Sequence, residues 1–171
     1  HKLPRTIVVD SQESAEIEKT VTVVDAEKQM TDISFALPFD YEYAAFPQEI
    51  TIFFDASYVE KSPYVSLTWL TPDGREIRVA DFSLSSSGVY RLSQDEKLQR
   101  RLDGQLPHVG LFVDPDSGQR LARQGAYTLN VAGLMFEDDA ELDARLVLYG
   151  QVHGPAGTDH RRRDLLVALL W

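Results

Sequence analysis

Along most of this chain apolar residues fall at alternate positions, and a period of two marks strands with one face buried. Ile33, Phe35 and Leu37 alternate with Ser34 and Ala36, Ile50, Ile52 and Phe54 with Thr51 and Phe53, and Val65, Leu67 and Trp69 with Ser66 and Thr68. Two shorter β-branched runs come first. Arg5 to Val9 predicts one strand, and Lys19 to Asp25, with Val21 and Val23 on one face, predicts another. Between them residues 11–18 are polar and acidic and read as a loop or one turn of helix. Pro38 to Pro47 reads as an aromatic loop rather than a central strand, because proline has no amide hydrogen to give a ladder.

Turn chemistry divides these runs. Thr71-Pro72-Asp73-Gly74 sits between two alternating segments and predicts a hairpin, with proline presetting φ and glycine accepting a positive φ. One helix is predicted near residues 94–102. Ser93 and Glu96 have capping-box spacing, Leu98 and Leu102 share a face, and Gly104 and Pro107 end the segment. Past Pro107 the alternation resumes. Val109 to Val113 and Gln119 to Arg123, joined through Asp114 to Gly118, suggest a second hairpin. Tyr127 to Phe136 and Leu142 to Val152 suggest a final pair joined by Glu137 to Glu141. About nine or ten short strands separated by such turns imply an all-β fold, a β-sandwich with the jelly roll as one form open to it, and with the short helix as a crossover.

Composition narrows the class. A chain of 171 residues with 43% apolar content closes one core of ordinary size, so residues 1–153 are read as one domain. A formal charge of −10 argues against a nucleic-acid partner, whose phosphates need an excess of Lys and Arg. With no cysteine there is neither a disulfide framework nor thiolate chemistry. His1 is preceded by no secretory leader pattern, so the expectation is a segment trimmed from a longer chain.

No constellation of catalytic residues is visible in the β body. Gly-x-Ser-x-Gly, phosphate-binding glycine loops and His-Glu-x-x-His are absent, and His1, His108, His153 and His160 are spaced too irregularly for zinc. Asp138, Asp139, Glu141 and Asp143 form one acidic cluster, and Asp114, Asp116 and Ser117 another. Neither has the alternating donors, central glycine and closing glutamate of a calcium loop, so no metal and no cofactor is expected. Asp55, Asp81 and Glu60 are the isolated carboxylates left to converge in space. Among the aromatics, Trp69 continues the Val65 and Leu67 face and is expected in the core, whereas Tyr41, Tyr43 and Phe46 are candidates for an interaction surface.

The last stretch differs from everything upstream. Gly154-Pro155-Ala156-Gly157-Thr158-Asp159-His160-Arg161-Arg162-Arg163-Asp164 leads into the apolar run Leu165 to Trp171. This resembles the motif His-Pro-x-Gly-Thr-Asp-x-x-Gly-Arg-Asp that follows the first transmembrane helix in permease subunits of dipeptide, oligopeptide and nickel ABC transporters. Pro155, Gly157, Thr158, Asp159, Arg163 and Asp164 match in register, while Gly154 and Arg162 depart from it. The resemblance implies an extracytoplasmic domain between the first two transmembrane helices of an inner-membrane permease, with residues 154–171 as a helix cap and the start of a truncated span. It implies a docking or gating role without catalysis in ATP-driven solute transport. The partners implied are a solute-binding protein, a second permease subunit, cytoplasmic ATPase subunits and, through the missing helices, the membrane.

Two other readings stay open. A secreted carbohydrate-binding or adhesion module is suggested by the sandwich pattern and the aromatic stretch Pro38 to Pro47. A sandwich hydrolase needs paired carboxylates in a cleft.

Overall fold

A computed structural model describes residues 4–12, 17–85, 88–118 and 120–150. Nine strands lie in this part of the chain: β1 Ile7–Asp10, β2 Thr20–Asp25, β3 Met30–Tyr41, β4 Glu49–Ser57, β5 Tyr64–Leu70, β6 Glu76–Ser83, β7 Gly88–Arg91, β8 Gly125–Met135 and β9 Glu141–Tyr149. They form a four-stranded sheet in the order β1-β9-β4-β7 and a five-stranded sheet in the order β2-β3-β8-β5-β6, with every pairing antiparallel. The protein is a β-sandwich, as the alternation predicts.

The alternating apolar rows close the core. Ile50, Ile52 and Phe54 of β4 and Leu142, Ala144, Leu146 and Leu148 of β9 are buried, as are Phe35, Leu37 and Phe39 of β3, Val65, Leu67 and Trp69 of β5, and Tyr127, Leu129 and Val131 of β8. At one end the filling is aromatic. Phe112 lies 4.5 Å from Tyr41, 4.8 Å from Tyr127 and 5.4 Å from Trp69, ring centre to ring centre. Such rings bring large buried area plus edge-to-face attraction. Their polar tips are satisfied: Trp69 Nε1 donates to the Leu111 carbonyl at 3.2 Å, and the Tyr41 hydroxyl to Ala45 at 2.7 Å.

Local signals held where their partners are also local. In the predicted hairpin β5–β6, Gly74 has φ +88° and its amide donates to Thr71 at 3.0 Å. The predicted helix forms two residues later than its capping-box reading, with Asp95 rather than Ser93 at the cap. A 3-10 turn covers Leu92–Gln94, and α1 spans Glu96–Arg101, capped by Asp95, whose carboxylate accepts from Lys97 and Leu98 amides at 3.0 and 3.1 Å. Ser93 is drawn away because its amide donates to Glu49. The capping-box expectation is therefore corrected.

Three further expectations change for reasons of tertiary structure. Pro38 lies inside β3, opposite Thr128, but β2 reaches only to Ser34 along the other edge. No strand there asks Pro38 for an amide hydrogen, so the proline is tolerated. The expected hairpin over Val109 to Arg123 is instead a single helical turn, α2 Pro107–Gly110, followed by one isolated bridge between Val113 and Ala122. Pro at the first helical position favours that turn. Finally, β8 and β9 do not pair with each other. Both edges of β8 are occupied, by β3 and β5, so the chain crosses to the other sheet. It changes sheet at every connection except the hairpins β2–β3 and β5–β6.

Glu137, at the β8–β9 crossing, accepts from the amides of Val59, Glu60 and Lys61 at 2.6, 2.7 and 2.8 Å, and these bonds lower its carboxyl pKa. The crossing is thereby tied to the loop between β4 and β5. In β2, by contrast, Val21 and Val23 are 61% and 65% exposed, so their shared face covers no core.

Phe112 has no strand of its own and holds the α2 segment against four rings. Replacing it with alanine should lower unfolding free energy by about 3–5 kcal/mol, the cost of emptying an aromatic site in a packed core. Urea denaturation followed by tryptophan fluorescence measures this; a loss under about 1 kcal/mol would contradict the packing role.

Candidate functional site

Because the inward rows of β4 and β9 are apolar, the intervening residues face outward from the four-stranded sheet. The register aligns them in rows. Val8, Val147, Thr51 and Arg91 make one row across β1, β9, β4 and β7; Asp10, Arg145, Phe53 and Val89 make the next. Glu49 stands opposite Tyr149, and Asp55 opposite Asp143.

A groove of about 420 Å³ opens on this face, with Glu49, Thr51 and Phe53 from β4, Val89 and Arg91 from β7, Gln94 from the 3-10 turn and Tyr149 from β9. Thr51 is buried at 2% exposure, while Arg91 and Gln94 are exposed. Glu49 is held in place: its Oε1 accepts from the amides of Ile50 at 3.0 Å and Ser93 at 3.3 Å. Tyr149 is half-buried, and burial raises its hydroxyl pKa, with Arg145 and Arg91 nearby opposing the rise. The Arg145 guanidinium lies 4.7 Å from the centre of the Phe53 ring, a cation–π contact that fixes the ring's orientation. The groove thus combines two rings with a carboxylate, a guanidinium, a carboxamide and a hydroxyl.

Further along the same face the polar groups bond one another. Asp143 accepts from Ser11 Oγ at 2.9 Å, Gln12 Nε2 at 3.1 Å and Lys19 Nζ at 2.5 Å. Burial works to raise its pKa, but the bonds from Lys19, Gln12 and Ser11 and the charge on Lys19 together bring it below the ordinary carboxylate value. These contacts fasten the start of the chain to β9.

The structure redistributes the residues that the sequence singles out. Tyr41 is 1% exposed and belongs to the aromatic core; Tyr43 packs edge-on against it at 5.4 Å, and Phe46 is partly buried against the same core. Tyr41 is therefore corrected as a surface residue, because its ring fills the core, while Tyr43 and Phe46 stay partly exposed beside it at one end of the sandwich. Trp69 is in the core as expected. Pro155, Gly157, Thr158, Asp159, Arg163 and Asp164 lie outside the described residues, as do His1, His153 and His160.

The acidic clusters also find protein partners. Asp138 accepts from Gln29 at 3.1 Å, and Asp114 and Asp116 receive Arg123 at 2.9 and 3.3 Å. Among the described residues no three His, Asp or Glu side chains group as a metal site would require. Asp55 lies on the four-stranded sheet, Asp81 on β6 of the other sheet, and Glu60 in a loop, so these carboxylates do not share a cleft. Among the described residues no helix is long and apolar enough to cross a membrane.

Sequence reasoning missed Glu49, Arg91, Gln94 and Tyr149. Alternation already places Thr51 and Phe53 opposite the core face, and extending it to Glu49 and along β9 to Tyr149 identifies half the groove. Arg91 and Gln94 depend on β7 pairing with β4, a long-range event without a local signal.

No family model matches the chain, and no curated protein matches it. Among solved structures, the chain aligns with a carbohydrate-binding module in complex with β-1,4-galactotriose at 10% identity and TM-score 0.33, over 86% of this chain and 88% of that one. It also aligns, at 8% identity and TM-score 0.39, with a structure from work on promiscuous specificity in carbohydrate-binding modules of the β-sandwich superfamily, over 86% of this chain and 53% of the other. These neighbours are carbohydrate-binding modules and not transport proteins, which corrects the expectation of a docking or gating domain in an ABC permease.

The Asp143 contacts predict a pH dependence. A depressed carboxyl stabilises the fold above its unfolded value of 3.8, and that contribution is lost as pH falls through the lower folded-state value. Asp143→Asn should therefore cost roughly 1–2 kcal/mol at neutral pH, as charged hydrogen bonds are lost. The gap to the parent protein should close in acid, below the folded-state pKa. Urea midpoints across that range test this, and a gap that stays constant would contradict it.

Proposed function

We propose that this chain is a non-catalytic glycan-binding module, and that the groove on the outer face of its four-stranded sheet receives the sugar. The observation carrying this reading is the grouping of Tyr149 and Phe53 with Glu49, Arg91, Gln94 and Thr51 around one groove on a rigid sheet. A pyranose has an apolar C–H face and a rim of hydroxyls that both donate and accept. Half-buried rings suit the face, and planar carboxylate, guanidinium and carboxamide groups suit the vicinal hydroxyls of the rim.

Chemistry favours binding over hydrolysis in this groove. Glycosidases set two carboxyl groups about 5–9.5 Å apart across the scissile bond. Among the described residues, Glu49 is the only acid lining the groove, and its Oε1 already accepts two amide bonds. The partner under this reading is a polysaccharide or glycoconjugate, met outside the cytoplasm.

Affinity electrophoresis through gels containing a panel of plant and bacterial polysaccharides, followed by calorimetry on those that retard the protein, tests the proposal. Tyr149→Ala and Arg91→Ala should each weaken binding about tenfold or more, equivalent to about 1.4 kcal/mol, with circular dichroism unchanged. Tyr64→Ala, at an exposed ring on the other sheet, should leave binding intact. Retardation by no polysaccharide, or equal loss in Tyr64→Ala, would overturn the assignment.

A further inference from the structure

The groove has a neighbour across β7. A second cavity, of about 640 Å³, lies between the β6 edge of one sheet, the β7 edge of the other and α1. It shares Val89, Arg91 and Gln94 with the first. A ligand longer than one sugar that passed from the sheet face around β7 would meet Arg91 in both stretches.

The chemistry of the second stretch differs from that of the first. Lys97, Arg100 and Arg101 stand at i, i+3 and i+4 of α1 and share a face, while Leu98 and Leu102 are buried on the other side. The acids beside them are largely engaged. Asp95 caps α1 and accepts the Tyr90 hydroxyl, and Asp81 pairs with Arg78 at 3.4 Å. Arg101 donates to the Arg78 and Val79 carbonyls at 3.1 Å. That leaves Arg91, Lys97 and Arg100 without a carboxylate partner among the described residues, against Glu96 as the remaining acid of the lining. In a chain of net charge −10, such a concentration of unpaired cations along one cavity is a local reversal of sign.

We infer that this second arm seats the carboxylate of a uronic-acid residue, so that the ligand is an acidic oligosaccharide running from the Tyr149 groove past Arg91 to Lys97 and Arg100. Arg91 and Arg100 can grip a carboxylate with two parallel N–H bonds, and opposite charge strengthens both beyond the same bonds to a neutral hydroxyl pair. Lys97 adds a point charge. All these cations are exposed, so salt screens their attraction.

This inference rests on the glycan-binding reading, and one experiment separates the two. Calorimetry on the purified protein compares short oligogalacturonates with the same oligosaccharides fully methyl-esterified. The free acid is expected to bind about tenfold more tightly, as charge-assisted bonds are roughly twice as strong as neutral ones. The double variant Lys97→Gln/Arg100→Gln should remove most of the acid's advantage over the ester, with a smaller change in ester affinity. Equal affinity of acid and ester, or an acid preference undiminished in the double variant, would overturn the inference and leave the glycan site standing. Binding of neither form, together with no retardation in the polysaccharide gels, would overturn both.

Discussion

Everything on the outer face depends on the strict alternation of β4 and β9 above a sealed core. Leu142, Ala144, Leu146 and Leu148 point inward opposite Ala56, Phe54, Ile52 and Ile50, and each is buried. A slip of one residue would put leucines into solvent and Asp143 and Arg145 into the core, a cost of several kcal/mol from the buried charges alone. The burial that stabilises the sandwich therefore also fixes where Glu49, Thr51, Phe53 and Tyr149 stand. The outer face inherits its precision from packing that it does not itself perform.

The edges complete that face by less regular means. β7 is only four residues long, yet it places Arg91 opposite Thr51. Glu49 then reaches the 3-10 turn after β7 through the Ser93 amide, joining the groove wall to buried Leu92. Below the seam, Phe82 packs 5.7 Å from Phe54 and 5.5 Å from Tyr90, and this bridges the two sheets where β6 and β7 face each other. At the opposite edge, Ser11 and Gln12 fasten the segment after β1 to Asp143.

The sandwich was legible because its signal is local and repeated. Alternation, and the Thr71 to Gly74 turn, need nothing beyond their own neighbours, and both were realised in the structure. What failed depends on pairing across the fold. Pro38 reads as a loop residue by its own chemistry, and nothing near it in sequence signals that β2 stops at Ser34. Tyr41 and Tyr43 looked available because the segment holding them seemed irregular, whereas Tyr41 continues the inward row of β3 into the aromatic cluster. The groove was half legible: Thr51 and Phe53 fall on the outer face by counting, but Arg91 joins them through a β4–β7 pairing that no short stretch encodes. The Pro155 to Asp164 motif lies outside the described residues.

The outer sheet face and the cationic cavity beyond β7 form one surface, in which rigid strands supply rings and fixed hydrogen-bonding groups and a short helix supplies charge. Preorganisation of this kind lowers the ordering cost of binding, so small contact areas suffice. The most direct measurement is amide chemical-shift mapping of the isotope-labelled protein during titration with the oligosaccharide that binds best. The expected perturbations cluster at Glu49, Thr51, Phe53, Val89, Arg91, Gln94 and Tyr149 and extend into α1 for an acidic ligand. Perturbations confined to the loops at the aromatic end of the sandwich, or none at saturating sugar, would contradict a recognition site on this face.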